Sequence, residues 1–155
     1  MIFEKRRLTI GEINQLRGKV FGSEVDYSLI RLVRNSPLTW FRCFVVIDNH
    51  IHVPECAWRE DFSLPVVPPV LFHEVTHVWQ FQNRHLKELK NYWWGMAGLE
   101  HILHKNPYLY KISDGSRLTN YRFEQQGKIV QDYISSPSSN LASVISQDLP
   151  IKPLN

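Results

Sequence analysis

The chain predicts an α+β domain: a small, mainly antiparallel sheet of about three strands packed on one central helix, with a second helix downstream. Three observations lead there. Runs rich in β-formers occupy residues 27–34, 42–47 and 51–53, with turn residues such as Asn35-Ser36-Pro37 between them. Residues 71–80 are largely apolar, with Phe72, Val75 and Val78 or Trp79 recurring at helical spacing. Residues 118–133 repeat that spacing through Tyr121, Glu124 or Gln125, Lys128, Ile129 and Asp132.

Taken in order, Leu8-Thr9-Ile10-Gly11-Glu12-Ile13 is a capping box with Thr9 as N-cap and Glu12 three residues on. A helix from about Ile10 to Val20 follows, ending near Phe21-Gly22. The run 27–34 alternates approximately, 42–47 is more apolar and reads as better buried, and Asp48-Asn49 marks a tight turn into 51–53. His50 and His52 flank that turn and read as surface histidines. Ser63 to Pro69 is a stiff, Pro-rich lead-in, and Pro68-Pro69 stand where a helix begins. Tyr92, Trp93 and Trp94 suit a core or cleft wall, and Gly95-Met96-Ala97-Gly98 marks a break. Loop signals at Lys105-Asn106-Pro107-Tyr108 and Ser113-Asp114-Gly115-Ser116 precede the downstream helix. Residues 1–134 form the predicted domain, and 135–155, rich in Ser, Pro and Asn, a loosely packed tail with one helical turn near 142–145.

Composition narrows the function classes. At 155 residues, 43% hydrophobic and 21% charged, the chain is long and apolar enough for one domain with a real core. A net charge of +3 without a basic stripe disfavours nucleic acid, and Lys5-Arg6-Arg7 reads as a solvated N-terminal segment. No apolar run approaches the roughly 18 residues that span a bilayer, and Met1 to Ile10 lack the apolar core of a secretory signal. The expectation is a chain made in the cytoplasm, with any delivery relying on other machinery. Cys43 and Cys56 have no ligand spacing and are expected as reduced, partly buried thiols.

The predicted central helix carries His73-Glu74-Val75-Thr76-His77. One turn apart, His73 and His77 leave the same helix face and can meet one metal ion, with Glu74 beside them to work on a water. Zinc suits two neutral imidazoles and keeps a position open for water, whose pKa it lowers to roughly 7. With 7 histidines in 155 residues, a chance match to the pattern is on the order of 2%. Three polar groups in an apolar helix are costly to bury without a purpose.

A catalytic zinc site needs a third protein ligand. Position 83 is Asn, so the ligand should come from a later helix, and the later glutamates are Glu88, Glu100 and Glu124. Glu88 is too near in sequence to fold back. Glu100 sits in Glu100-His101-Ile102-Leu103-His104, and Glu124 on the better helix, which favours Glu124 over Glu100.

Residues 71–80, the Asn106-Pro107-Tyr108-Leu109-Tyr110 loop and Tyr121-Arg122-Phe123-Glu124-Gln125-Gln126 with Asp132-Tyr133 resemble a family of zincin metallopeptidases. That family occurs at the C-terminal end of some VgrG spike proteins of bacterial type VI secretion, and as small stand-alone Vgr-related proteins. Phe21-Gly22 and Asn49-His50-Ile51-His52 resemble its earlier landmarks, so the likeness runs from about residue 8 to 134. The resemblance implies a minimal zincin-like fold, Zn2+ as cofactor, and Glu124, before Gln-Gln, as the third ligand. Two positions depart from the pattern: Gly127 stands where alanine is expected, weakening the helix by about 1 kcal/mol, and Lys128 stands where broader glutamate-type zincins carry aspartate. The outer partners of the ligands stay open among Asp132, Asp48 and backbone carbonyls.

The implied function is a zinc metallopeptidase, delivered by type VI secretion, acting on a peptide or protein with Glu74 as general base. Tyr121, Tyr108, Tyr110, His101 and His104 are candidates for contacts to oxyanion or substrate. A competing reading is a binding module with a structural metal that docks a secretion spike component or an immunity protein. The intact Glu74 argues against it. Hydrolysis of a non-peptide link, such as one in the cell wall, uses the same chemistry and stays open.

Overall fold

The computed structural model describes residues 4–34, 36–39, 43–83 and 106–152. The chain opens with a two-residue strand β1 (Lys5–Arg6) and helix α1 (Ile10–Leu16), which runs on into a π-helical turn, Arg17–Phe21. Thr9 and Glu12 form the expected capping box. A 3-10 turn (Tyr27–Leu29) leads to β2 (Arg31–Arg34), followed by a hairpin of β3 (Val45–Ile47) and β4 (His50–Val53). Asp48, in the turn between them, has φ 54°, a conformation that Asp tolerates better than most residues.

Among the described residues the sheet has four strands, one more than expected, in the order β1-β2-β4-β3; it is mixed, with two of its three pairings antiparallel. β1 and β2 are antiparallel, β2 and β4 parallel, β3 and β4 antiparallel. The chain leaving β2 crosses to the far edge, lays down β3, and returns to insert β4 beside β2. Alternation of residue types carries no information about that crossing. The segment expected to be solvated at the N-terminus supplies the fourth strand. It is held there because Arg6 forms an ion pair with the buried Glu12 and stacks over Trp58 and Phe62.

Leu32, Val46 and Ile51 stand side by side across the sheet and are buried on its inner face, while His50 and His52 point outward. Helix α2 (Pro69–Gln82) begins with Pro69 in its first turn, where a missing N–H costs nothing, and every residue from Leu71 to Gln80 is buried. Phe72 stacks on Phe21 with ring centroids 6.3 Å apart. The buried Thr76 hydroxyl is satisfied by donating to the Phe72 carbonyl.

After a 3-10 turn at Leu118–Asn120, helix α3 (Phe123–Ser135) packs along α2 through Ile129, Val130 and Tyr133. The last segment differs from the expected loose tail. Ser138 caps a helix α4 (Ser139–Ile145), and Leu141, Val144, Ile145 and Leu149 enter the core. Their spacing of three and four residues builds an apolar stripe that the surrounding serines obscure. Asp148 ties this segment back by accepting from Arg117 and from the Thr119 N–H.

Candidate metal centre

The seam between α2 and α3 brings together the residues that the sequence singled out on two distant segments. His73 and His77 leave the same face of α2, and Glu124 lies in the first turn of α3, where the helix dipole favours an anion. His73 Nε2 is 3.1 Å from His77 Nε2 and 3.3 Å from Glu124 Oε2, and His77 Nε2 is 3.5 Å from that same oxygen. All three side chains are buried. Such a group of donors could hold a metal ion. Without one, burial pushes the Glu124 carboxyl upward, but its hydrogen bonds with His73 and His77 outweigh that and hold it well below the usual range. For His77 burial works downward, and the contact with Glu124 prevails, pushing it up to about 9.

Glu74 is 7% exposed, and burial pushes its carboxyl upward against the neighbouring imidazoles. Among the described residues no side chain pins it by a hydrogen bond. Tyr108 stands against the cluster, its ring centroid 5.9 Å from that of His73. Burial, followed by the charges of Glu124 and Glu74, pushes its phenol up to about 12, so it stays protonated at neutral pH.

Two other tyrosines are engaged elsewhere. The Tyr110 hydroxyl donates to Asp132 Oδ2 at 2.7 Å, and the Tyr121 hydroxyl sits 2.7 Å from Ser116 Oγ and 3.3 Å from the Lys111 carbonyl. They brace the loop that precedes α3. His101 and His104 lie outside the described residues, as do Glu88, Glu100 and Tyr92 to Trp94. His50 and His52 are away from the centre, with His52 Nδ1 2.7 Å from Ser36 Oγ. Cys43 and Cys56 are free, and both are exposed rather than partly buried.

The outer partners are not those the sequence suggested. Asp132 is taken by Tyr110 and Lys128, and Asp48 lies exposed in its turn. The acceptor for His77 Nδ1 is Gln80 Oε1, at 2.9 Å. A second residue that sequence reasoning misjudged is Gly127. A Cβ built there would lie 2.8–2.9 Å from three atoms of the His73 ring, closer than real Cβ contacts allow. The missing side chain is the space in which His73 sits.

No protein-family model matches the chain. The solved effector domain of Pseudomonas aeruginosa VgrG2b superposes with a TM-score of 0.66 at 32% identity, covering 92% of this chain and 80% of that one. The chain belongs to the VgrG2b effector-domain family. The type VI secretion system spike protein VgrG2b of the same organism is 35% identical over 133 residues, which is 83% of this chain. The aligned part is only 13% of that spike protein, so this family member corresponds to one domain of it.

Proposed function

We propose that this chain is a zinc-dependent metallopeptidase acting as a type VI secretion effector. One observation carries the chemical half: the triangle of donors on His73, His77 and Glu124, with Glu74 beside it. Ligands about 2.0–2.1 Å from a tetrahedral zinc lie about 3.3 Å from one another. The three donor separations here are 3.1, 3.3 and 3.5 Å. Two imidazoles and one carboxylate are also a donor set that zinc uses in catalytic sites with a fourth position open. Zinc held by these residues would acidify a water and polarise the scissile carbonyl.

The chain's own residues then have definite tasks. Glu74, its basicity raised by burial, takes the proton from the attacking water. It delivers that proton to the leaving nitrogen as the C–N bond breaks, and the second proton of the water follows, so that one peptide bond and one water become a carboxylate and an ammonium group. Tyr108, whose ring stands against that of His73, is the candidate to donate to the oxyanion. β3 is an edge strand that pairs only with β4 among the described residues, and it packs against α2. An extended peptide lying along β3 would bind through main-chain hydrogen bonds, which favours an unfolded or flexible protein segment as substrate.

The effector half rests on the family. The relatives are a spike protein of type VI secretion and its effector domain, which supports delivery by that route, with a spike component or an immunity protein as partner. Among the described residues no helix is long and apolar enough to cross a membrane. The deciding experiment is Glu74→Gln. It should leave zinc binding intact and reduce hydrolysis of an unfolded protein by at least the ~100-fold that a general base contributes. Undiminished hydrolysis would sink the assignment.

A further inference from the structure

Two buried glutamines stand behind His77, and neither belongs to the donor triangle. Gln80 lies one turn beyond His77 on α2 and is 4% exposed; Gln126, on α3, is 6% exposed. Gln80 Nε2 donates to the Phe123 carbonyl at 3.0 Å and to Gln126 Oε1 at 2.9 Å. Gln126 Nε2 donates to the Tyr121 carbonyl at 2.7 Å. A carbonyl only accepts, so each amide can face its carbonyl with nitrogen alone. Both amides are therefore fixed in one direction.

That direction has a consequence at the histidine. With Nε2 of Gln80 turned to Phe123, its Oε1 is what meets His77 Nδ1, 2.9 Å away. An oxygen there requires a proton on Nδ1. In the neutral ring Nε2 then carries the lone pair, and Nε2 is the atom that faces His73 and Glu124.

We propose that Gln80, held by Gln126 and by the Phe123 carbonyl, is a positioning residue that sets the tautomer of His77 and so presents Nε2 as the metal donor. This rests on the metal-site reading above. An amide suits the task better than a carboxylate. Glu74 and Glu124 already place two anions in the pocket, matching a divalent cation, and a third would be buried without a counter-charge. A glutamate at 80 would also set an acceptor against the Phe123 carbonyl. The same amides bridge α2 to the start of α3, so the device that orients His77 also fixes the distance from His77 to Glu124.

The test uses the full chain loaded with zinc. Imidazole nitrogen NMR of the wild type should show His77 coordinated through Nε2 with a slowly exchanging proton on Nδ1. Gln80→Met should weaken zinc binding roughly 10- to 100-fold in chelator competition, while the metal-free protein stays folded with a lower melting temperature because the Phe123 carbonyl and Gln126 Oε1 lose a donor. Gln80→Glu should fail to restore affinity. If the methionine variant does not fold, Gln126→Met serves instead. It leaves the His77–Gln80 contact and the Phe123 carbonyl in place and removes one of the two groups that hold the Gln80 amide, so a several-fold loss of zinc affinity and exchange broadening of the Nδ1 proton are expected. Coordination through Nδ1, or undiminished zinc affinity in a folded variant, overturns the inference and leaves the metal site standing. A wild-type chain that takes up no zinc overturns both.

Discussion

Two clusters of buried charge stand in this molecule, one around Glu12 and one at the seam of α2 and α3, and they are built on opposite terms. Around Glu12, which is fully buried, every acceptor position is filled. Oε1 receives Arg6 Nη2 and the Phe62 N–H, both at 2.7 Å; Oε2 receives Arg6 Nη1 at 3.0 Å and the Thr9 N–H at 2.7 Å. One carboxylate thereby joins β1, the cap of α1 and the segment leading to α2. At the seam of α2 and α3, His73 and Glu74 are buried but less fully met. His73 Nδ1 is buried with no hydrogen-bond partner among the described residues, and no side chain there pins Glu74. Glu12 has all its bonds made and is a structural staple, although Arg6 Nε beside it is buried without a partner among the described residues. Glu74 and His73 Nδ1, clustered beside three donor atoms and left short of partners, suit groups that something else is to join.

The largest test of that contrast removes one carboxylate from each cluster. Glu12→Ala should cost about 3–5 kcal/mol in denaturant unfolding, because Arg6 is left without its counter-charge and two backbone N–H groups without an acceptor. Zinc should not alter that loss. Glu124→Gln should disturb the metal-free protein less than Glu12→Ala does, yet abolish stabilisation by zinc. For the wild type that stabilisation should be about 4 kcal/mol at a zinc concentration 1,000 times Kd, and a chelator should reverse it. Equal losses in the metal-free state would erase the distinction between staple and site.

A finer test concerns Gly127. On helix propensity alone, Gly127→Ala should stabilise α3 by about 1 kcal/mol. Crowding against the His73 ring works the other way, typically by about 1–3 kcal/mol in packed interiors, and the ring already has His77, Glu124 and Tyr108 as neighbours. The expected outcome is a lower melting temperature together with weaker zinc binding. A stabilised variant with unchanged zinc affinity would mean that His73 can move aside freely.

Gly127 also shows where the sequence stops being legible. The His-Glu-x-x-His spacing could be read because helical geometry alone puts residues 73 and 77 on one face. Glu124 followed from the chemistry of zinc and a resemblance. The capping box at Thr9 and Glu12 was readable for the same local reason. What could not be read depends on which surfaces meet. Gly127 looked like a weakness in a helix until His73 occupied its space, and the sequence assigned no role to Gln80 or Gln126 before the seam closed over them. Arg6 was taken for a solvent-facing charge because its partner lies in a different element. The parallel pairing of β2 and β4 depends on a chain crossing, and the packing of α4 on an apolar stripe diluted by serines.

The smallest expected effect lies on the outer face of the sheet. Burial, then the positive charges of His50 and Lys5, lowers His52 from 6.5 to about 4, and its Nδ1 is bonded to the buried Ser36. Protonation is thus harder in the folded chain than in the unfolded one. The stability gained from neutral His52 is complete above pH 6.5 and is lost as pH falls from 6.5 toward 4, where the unfolded state binds the extra proton. Because the ring is only half-buried, solvent screens the effect and the loss should be modest. His52→Gln should flatten the fall of melting temperature between pH 6.5 and 4 relative to the wild type, with little change near pH 8. The metal centre is remote from this face, so zinc affinity at pH 8 should match the wild type. An unaltered slope would assign the acid sensitivity to the α2–α3 seam, where the loss of Glu124's charge on protonation works in the same direction at lower pH.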